Sequence, residues 1–251
     1  MLKKLKSASK SLKIWRLTSA FKAAILAGLL FLSANHWSFA VIFLAVAFYF
    51  YFRPAINAGR FLFSFLAVLA VSLLVVKSLT IGLWLLAICL FFGFLLFLLL
   101  GIKNLSFVHR QPLYYFYGAL MFLTIFIVFF NSDKSRFFAV KYLAVGLAIF
   151  LIFREFLGVI EETEGIAGFP LKKNLYSLVF TFLILEFIWV AALLPLGFLN
   201  AASLAILLVL VLEDLIIHHF GGTLDRRLIL RNITVFLILT LAIFGASIWI
   251  F

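Results

Sequence analysis

The stretch "IGLWLLAICLFFGFLLFLLLGI", residues 81–102, runs for 22 residues without a charged side chain. An α-helix rises about 1.5 Å per residue, and about 20 apolar residues are enough to cross the hydrocarbon core of a bilayer. Apolar runs of this length with no charge are typical of membrane helices rather than of helices in soluble domains. The stretch therefore predicts a transmembrane helix.

The whole chain has the composition of a membrane protein. Of its 251 residues, 67% are hydrophobic and 34 are Phe, and the mean hydropathy is +1.28. Only 12% of the residues are charged, whereas soluble domains carry about 25%. No polar stretch is long enough to form a separate globular unit. We expect a single all-α transmembrane domain over residues 17–251, preceded by a basic segment over residues 1–16.

Nine apolar runs are long enough, or nearly long enough, to span a bilayer. We predict a bundle of about nine transmembrane helices arranged as successive antiparallel hairpins. The runs cover residues 17–33, 37–52, 61–76, 81–102, 113–130, 137–153, 175–198, 201–217 and 233–251.

Lysine and arginine residues fall mainly on one side of these runs. When alternate loops are assigned to the same side, all but four of the 21 Lys and Arg residues share the side of the N-terminus, the exceptions being Lys77, Lys134, Arg136 and Lys141. The positive-inside rule then predicts a multi-pass protein of the plasma (inner) membrane, with a cytoplasmic N-terminus and an external C-terminus. It also explains the net charge of +12 without a nucleic-acid partner, which we do not expect.

The N-terminal segment "MLKKLKSASKSLKIW", residues 1–15, has the pattern of an amphipathic helix. Leu2, Leu5, Leu12 and Trp15 lie near one helical face, and the lysines lie largely elsewhere. Such a helix is expected to lie in the membrane interface and to bind anionic lipid headgroups. A secretory signal peptide is the alternative, but "FLSANHW" is a poor cleavage pattern, so we favour an uncleaved anchor.

Two hairpins of the chain resemble each other, over residues 113–165 and 175–222. The segment "LYYFYGALMFLT" aligns with "LYSLVFTFLILE", and each second arm runs from apolar residues into a charged pair. Repeated hairpins are common in transporters, where they frame a central site. Apolar sequences also resemble one another through composition alone, so true duplication and chance likeness both stay open.

The stretch "VLEDLIIHHF", residues 211–220, concentrates polar chemistry at the end of an apolar run. Asp214 and His218 are four residues apart and share a helical face, which suits two metal ligands or an acid and base pair. Such a site would be completed by Glu155 and Glu162 on the predicted sixth helix, or by His109 from the fourth. A divalent metal is therefore possible here, although no cofactor is predicted outright. The alternative is that these charges mark the point where a helix meets water, with Gly221 and Gly222 ending it.

Glu186 lies near the middle of the predicted seventh helix, in "FTFLILEFIWVAALLPL", where an ionisable group is costly. Such residues usually face the bundle interior and have a partner. Lys141 on the sixth helix is expected at a similar depth, which predicts an interhelical pair, with Thr124 and Thr240 as polar neighbours. The pair either binds a proton or cation, or only fixes helix packing.

These polar positions favour a carrier- or channel-like protein that handles a small solute, ion or lipid through Glu186, Lys141 and Thr124. The alternatives are a structural or assembly component, and a membrane enzyme that acts on a lipid-linked substrate through Asp214, His218, Glu155 and Glu162. The chain lacks Gly-x-x-x-x-Gly-Lys-Ser/Thr, His-Glu-x-x-His, Cys-x-x-Cys and Gly-x-Ser-x-Gly, so an enzyme is uncertain and less favoured.

Overall fold

The computed structural model describes residues 2–53, 59, 61–78, 82–103, 110–132, 138–164 and 170–248. All regular secondary structure in these residues is helical, because a helix satisfies its own backbone hydrogen bonds where no water is at hand. The described residues form nine helices: α1 Leu2–Ser33, α2 Trp37–Phe52, α3 Leu62–Ser78, α4 Leu83–Lys103, α5 Arg110–Asn131, α6 Phe138–Glu164, α7 Pro170–Leu193, α8 Phe198–Phe220 and α9 Arg226–Ile248.

The helix lengths confirm the predicted all-helical membrane class. Six helices in the described part of the chain, α4 to α9, contain apolar segments of 20 to 23 residues, long enough to cross a membrane. The apolar parts of α1, α2 and α3 are shorter, at 16 or 17 residues: Leu17–Ser33, Trp37–Phe52 and Leu62–Ser78. The described residues thus contain six helices that are long and apolar enough to span a bilayer, and three shorter apolar helices.

Most helix bounds differ from the predicted runs by a few residues, and α9 begins at Arg226 rather than at residue 233. The basic N-terminal segment and the first apolar run form one uninterrupted helix, α1, rather than an interfacial helix followed by a span. The side chains of residues 1–16 lie outside the described residues, so their binding to anionic lipid stays a prediction. Helix α6 continues beyond residue 153 to Glu164, and α7 ends at Leu193, just before Pro195, which cannot continue a helix without a kink.

The chain divides into two compact units, Met1–Tyr117 and Gly118–Phe251. In unit 1, α1 packs against α2, α3 and α4, and its most extensive neighbour is α4. Small side chains allow this close approach, since a Cβ atom built on Gly93 of α4 would lie 2.8 Å from Cβ of Ala27 and 3.4 Å from the carbonyl oxygen of Ala23. The predicted chain of hairpins pairs helices that follow one another in sequence, and it did not include this contact between α1 and α4.

Unit 2 follows the sequential pattern more closely. Helices α6 and α7, α7 and α8, and α8 and α9 pack as successive neighbours, with only a narrow contact between α6 and α8. Aromatic rings fill the contacts around α6, where the Phe153 ring lies 5.3 Å from that of Phe122 and 5.9 Å from that of Phe180. Most of α9 is exposed. The expected repeat of residues 113–165 and 175–222 stays a prediction.

The close contact at Gly93 predicts opposite effects for two matched substitutions. Alanine is the better helix former by about 1 kcal/mol, but Gly93→Ala forces a methyl group into Ala27, and overpacking costs about 1–3 kcal/mol. Gly28 on α1 has no other atom within 4 Å of a built Cβ. We expect Gly93→Ala to lower the melting temperature in detergent and Gly28→Ala to leave it unchanged or raise it. Equal effects of the two would contradict this packing.

Candidate functional site

The turn between α8 and α9 brings the polar end of α8 beside the start of α9. Gly222 has a φ of 66°, the left-handed region that glycine adopts without strain. The amide of Thr223 donates to the carbonyl of His218 at 2.9 Å, and that of Gly222 donates to the carbonyl of His219 at 3.3 Å. These are the two hydrogen bonds of a Schellman motif. The expected end of the helix at Gly221 and Gly222 is confirmed.

Asp214 is the centre of a polar cluster between the two helices. Asn232 Nδ2 on α9 donates to Asp214 Oδ2 at 2.7 Å. The guanidinium of Arg231 lies 3.7 Å from the same oxygen, and His218 Nε2 lies 3.6 Å from Oδ1. Asn232 is buried, with 8% of its surface exposed, whereas the Arg231 side chain is 64% exposed. The hydrogen bond from Asn232 is therefore the contact that is best shielded from water.

His218 joins this cluster to the turn. Its Nδ1 lies 2.8 Å from Oγ1 of Thr223, so the imidazole stands between a carboxylate and a hydroxyl group. The arrangement allows the ring to exchange a proton, and it also ties the helix end to the turn. The described residues contain no group of three or more His, Cys, Asp or Glu side chains placed to hold a metal ion. Asp214 and His218 thus supply at most two ligands from this part of the chain.

Glu155 and Glu162 lie on α6, which packs mainly against α7 and only narrowly against α8. The Glu155 side chain is half-buried and that of Glu162 is exposed. The neighbouring Glu161 approaches Lys173 of α7, with 4.0 Å between Oε2 and Nζ. Glu155 and Glu162 thus lie on a helix that packs mainly against α7. Their catalytic role beside Asp214 stays a prediction.

Lys141 and Glu186 lie at the same level on neighbouring helices. Tyr142, next to Lys141, donates a hydrogen bond to the carbonyl of Leu185, next to Glu186. The Glu186 side chain is exposed rather than turned into the unit, which differs from the interior position expected for it. The ion pair between Lys141 and Glu186 stays a prediction. The hydroxyl of Thr124 donates to the carbonyl of Leu120 in its own helix at 2.7 Å.

Among the described residues of unit 2, the buried carboxyl group is that of Glu213, which the sequence did not single out as a candidate. Only 5% of this residue is exposed, and no described residue donates a hydrogen bond to it. Its Oε1 lies 3.9 Å from the position that a Cβ would occupy on Gly118 of α5. A signal was present in the sequence, because Ala202, Ala205 and Val209 precede Glu213 at spacings of three and four and form a small-residue packing face.

The Asp214 cluster predicts which of two substitutions on α9 lowers the free energy of unfolding more. Removing a hydrogen bond to a charged group costs about 1.5–3 kcal/mol, whereas an exposed ion pair contributes about 0–1 kcal/mol. We expect Asn232→Ala to lower the free energy of unfolding more than Arg231→Ala, as measured by denaturant titration in micelles. In an Asp214→Ala background the effect of Asn232→Ala should shrink. A larger loss for Arg231→Ala would refute this ranking.

No family model, curated protein or solved structure matches this chain. The function therefore has to be inferred from the chemistry of its own side chains. In unit 2 two features of α8 carry that inference: the Asp214 cluster, whose polar groups bind one another, and the buried carboxyl group of Glu213.

Proposed function

We propose that this multi-pass membrane protein is a carrier or channel-like protein for a small solute, ion or lipid, in which the carboxyl group of Glu213 holds a proton or cation. The observation that carries the proposal is the burial of this group, at 5% exposure, on a helix long and apolar enough to span a membrane. An ionisable side chain in such surroundings is costly and is usually kept for function.

The position of Glu213 along α8 supports an exchangeable group. It lies seven residues before Phe220, the last residue of the helix, which corresponds to about 10 Å along the helix axis. Asp214 and His218 stand between it and the turn, and each is partly exposed. The carboxyl group of Glu213 thus lies close to the partly exposed, polar end of α8.

The proposal includes an orientation. The N-terminus and the α8–α9 turn would lie in the cytoplasm and the C-terminus outside a plasma membrane, because the basic residues gather on that side. Arg226 and Arg227 begin α9 directly after the turn, in the place where the positive-inside rule expects cations.

One observation favours the alternative of a structural or assembly component. The groups of the Asp214 cluster bind one another, as expected of residues that only fix the packing of α8 on α9. The carrier proposal therefore depends on Glu213 and not on this cluster. A carrier role and a structural role make different predictions for Glu213.

Substituting Glu213 by its neutral isostere separates these roles through stability. No described residue donates a hydrogen bond to the Glu213 carboxyl group, so glutamine loses no such contact with the described residues, and it removes the cost of burying an ionisable group. We expect Glu213→Gln to keep or raise the melting temperature of the purified protein in detergent. A loss of about 1–3 kcal/mol, the cost of breaking a buried polar contact, would instead indicate a structural role.

A hydrophobic carbodiimide, which reacts with protonated carboxyl groups inside membranes, tests the proton- or cation-holding role directly. We expect it to modify Glu213 of the full chain in lipid vesicles, with the site mapped by mass spectrometry. Labelling should fall as the pH rises, since the reactive protonated form is lost. If a cation competes for the site, Na⁺ or K⁺ should slow the labelling at constant pH.

Two variants make the labelling test decisive. Glu213→Gln should abolish the labelling while the protein elutes as a folded species. Glu186→Gln tests whether the carbodiimide instead labels the carboxyl group on the exposed face of α7. If labelling is lost in Glu186→Gln but kept in Glu213→Gln, the site is Glu186. If neither residue is labelled, the carrier proposal is overturned.

A further inference from the structure

The acidic residues are distributed unevenly along the chain. All nine Asp and Glu residues lie at or after Asp133, so unit 1, Met1–Tyr117, contains no carboxylate side chain. No lysine or arginine of this unit can therefore form an ion pair inside it. Where such cations gather, their mutual repulsion has to be offset by other groups.

Three of these cations gather at one end of unit 1. They are Lys22 of α1, Arg53 directly after α2 and Lys103, the last residue of α4, and we call them the cationic cluster. The charge of Lys22 is repelled by those of Arg53 and Lys103. Lys103 is buried, with 2% of its surface exposed, while Lys22 is half-buried and Arg53 is exposed.

Aromatic rings and one carbonyl group take the place of carboxylates. Lys103 Nζ donates to the carbonyl of Tyr51 and lies 3.6 Å from the centroid of its ring. Lys22 Nζ lies 5.4 Å from the centroid of the Phe50 ring. Arg53 in turn stacks over Tyr49, at 5.1 Å. Each such contact contributes about 0.5–2 kcal/mol, but none neutralises a charge.

The cationic cluster lies at the depth of a membrane boundary. Helix α2, Trp37–Phe52, has 16 residues, about 24 Å at 1.5 Å per residue. Its other end carries Trp37, with Lys77 Nζ 4.6 Å from the ring centroid. Tryptophan with a nearby lysine is typical of the interface between hydrocarbon and headgroups. The cationic cluster thus occupies the opposite interface, where phospholipid phosphates lie.

We propose that Lys22, Arg53 and Lys103 form a binding site for a phosphate group, supplied by the headgroup of an anionic phospholipid in the adjacent leaflet. Lys103 is buried and held by the Tyr51 carbonyl, so it contributes its positive charge from behind the site rather than a direct contact with the headgroup. Arg53, exposed at the end of α2, offers the planar fork that binds two phosphate oxygens at once. Lys22 reaches the same point along the apolar surface of α1, as long cationic side chains do at membrane interfaces.

This site is independent of the function proposed for Glu213. It uses residues of unit 1 alone, and it also differs from the lipid contacts expected of the N-terminal lysines. The same phosphate chemistry is offered by free inorganic phosphate, so the experiment has to separate the two sources.

The test follows the melting temperature of the full chain in neutral detergent by tryptophan fluorescence during lipid titration. We expect phosphatidylglycerol to raise the melting temperature in a saturable way, and phosphatidylcholine, whose choline neutralises the phosphate, to have a smaller effect. Inorganic phosphate should give little shift. An equal, saturable shift with inorganic phosphate would overturn the assignment to lipid, and equal shifts with the two lipids would overturn the site.

Matched variants locate the effect. Each surface cation contributes about 1 kcal/mol toward anionic lipid, so Lys22→Gln/Arg53→Gln should weaken the apparent affinity for phosphatidylglycerol about tenfold or more. Both residues are partly or fully exposed, so the variant is expected to fold, and its melting temperature without lipid checks this. Lys77→Gln removes one cation at the opposite end and should leave the affinity unchanged. Equal losses in both variants would refute the proposal.

Discussion

A charged side chain on a helix surrounded by hydrocarbon needs an opposite charge, a dipole, an aromatic face or water. This requirement explains much of how the polar residues of the structure are arranged. Only 12% of the residues are charged, and the structure gives the surroundings of several that it describes. Asp214 binds Asn232 and Arg231 across a helix pair. Lys103 binds a carbonyl and a ring. Glu213 is buried without a described donor, and that exception is why it carries the functional proposal.

The two units meet this constraint with opposite chemistry. Unit 1 contains cations without any carboxylate and places them beside aromatic rings, whereas every acidic side chain of the chain belongs to unit 2. At a membrane interface, lipid phosphates can serve as the counter-ions of cationic side chains. Carboxylates cannot, because anionic lipids repel them, so those of unit 2 bind a partner in the protein, reach water or hold a proton or cation. The proposals of a lipid site in unit 1 and of an ion-holding carboxyl group in unit 2 rest on that difference.

The sequence predicted the helices well and their neighbours less well. Apolar length and turn residues define where a helix lies, so residues 37–52 were predicted with the observed bounds of α2, and Gly221 and Gly222 marked the end of α8. Helix pairing is harder, because one apolar surface resembles another. The contact of α1 with α4 depends on the absence of a side chain at Gly93, a detail of shape that hydropathy does not record.

The choice of carboxyl group shows the same limit at the candidate site. Depth along a helix follows from counting residues, and Lys141 and Glu186 do lie at one level. Rotation about the helix axis does not follow from counting. Successive residues differ by about 100°, so Glu213 and Asp214 face different surroundings. The hydrogen bond between Asp214 and Asn232 joins α8 to α9 on one face, whereas Glu213 lies near Gly118 of α5. The burial on which the proposed function depends therefore follows from a helix rotation that apolar length and spacing do not reveal.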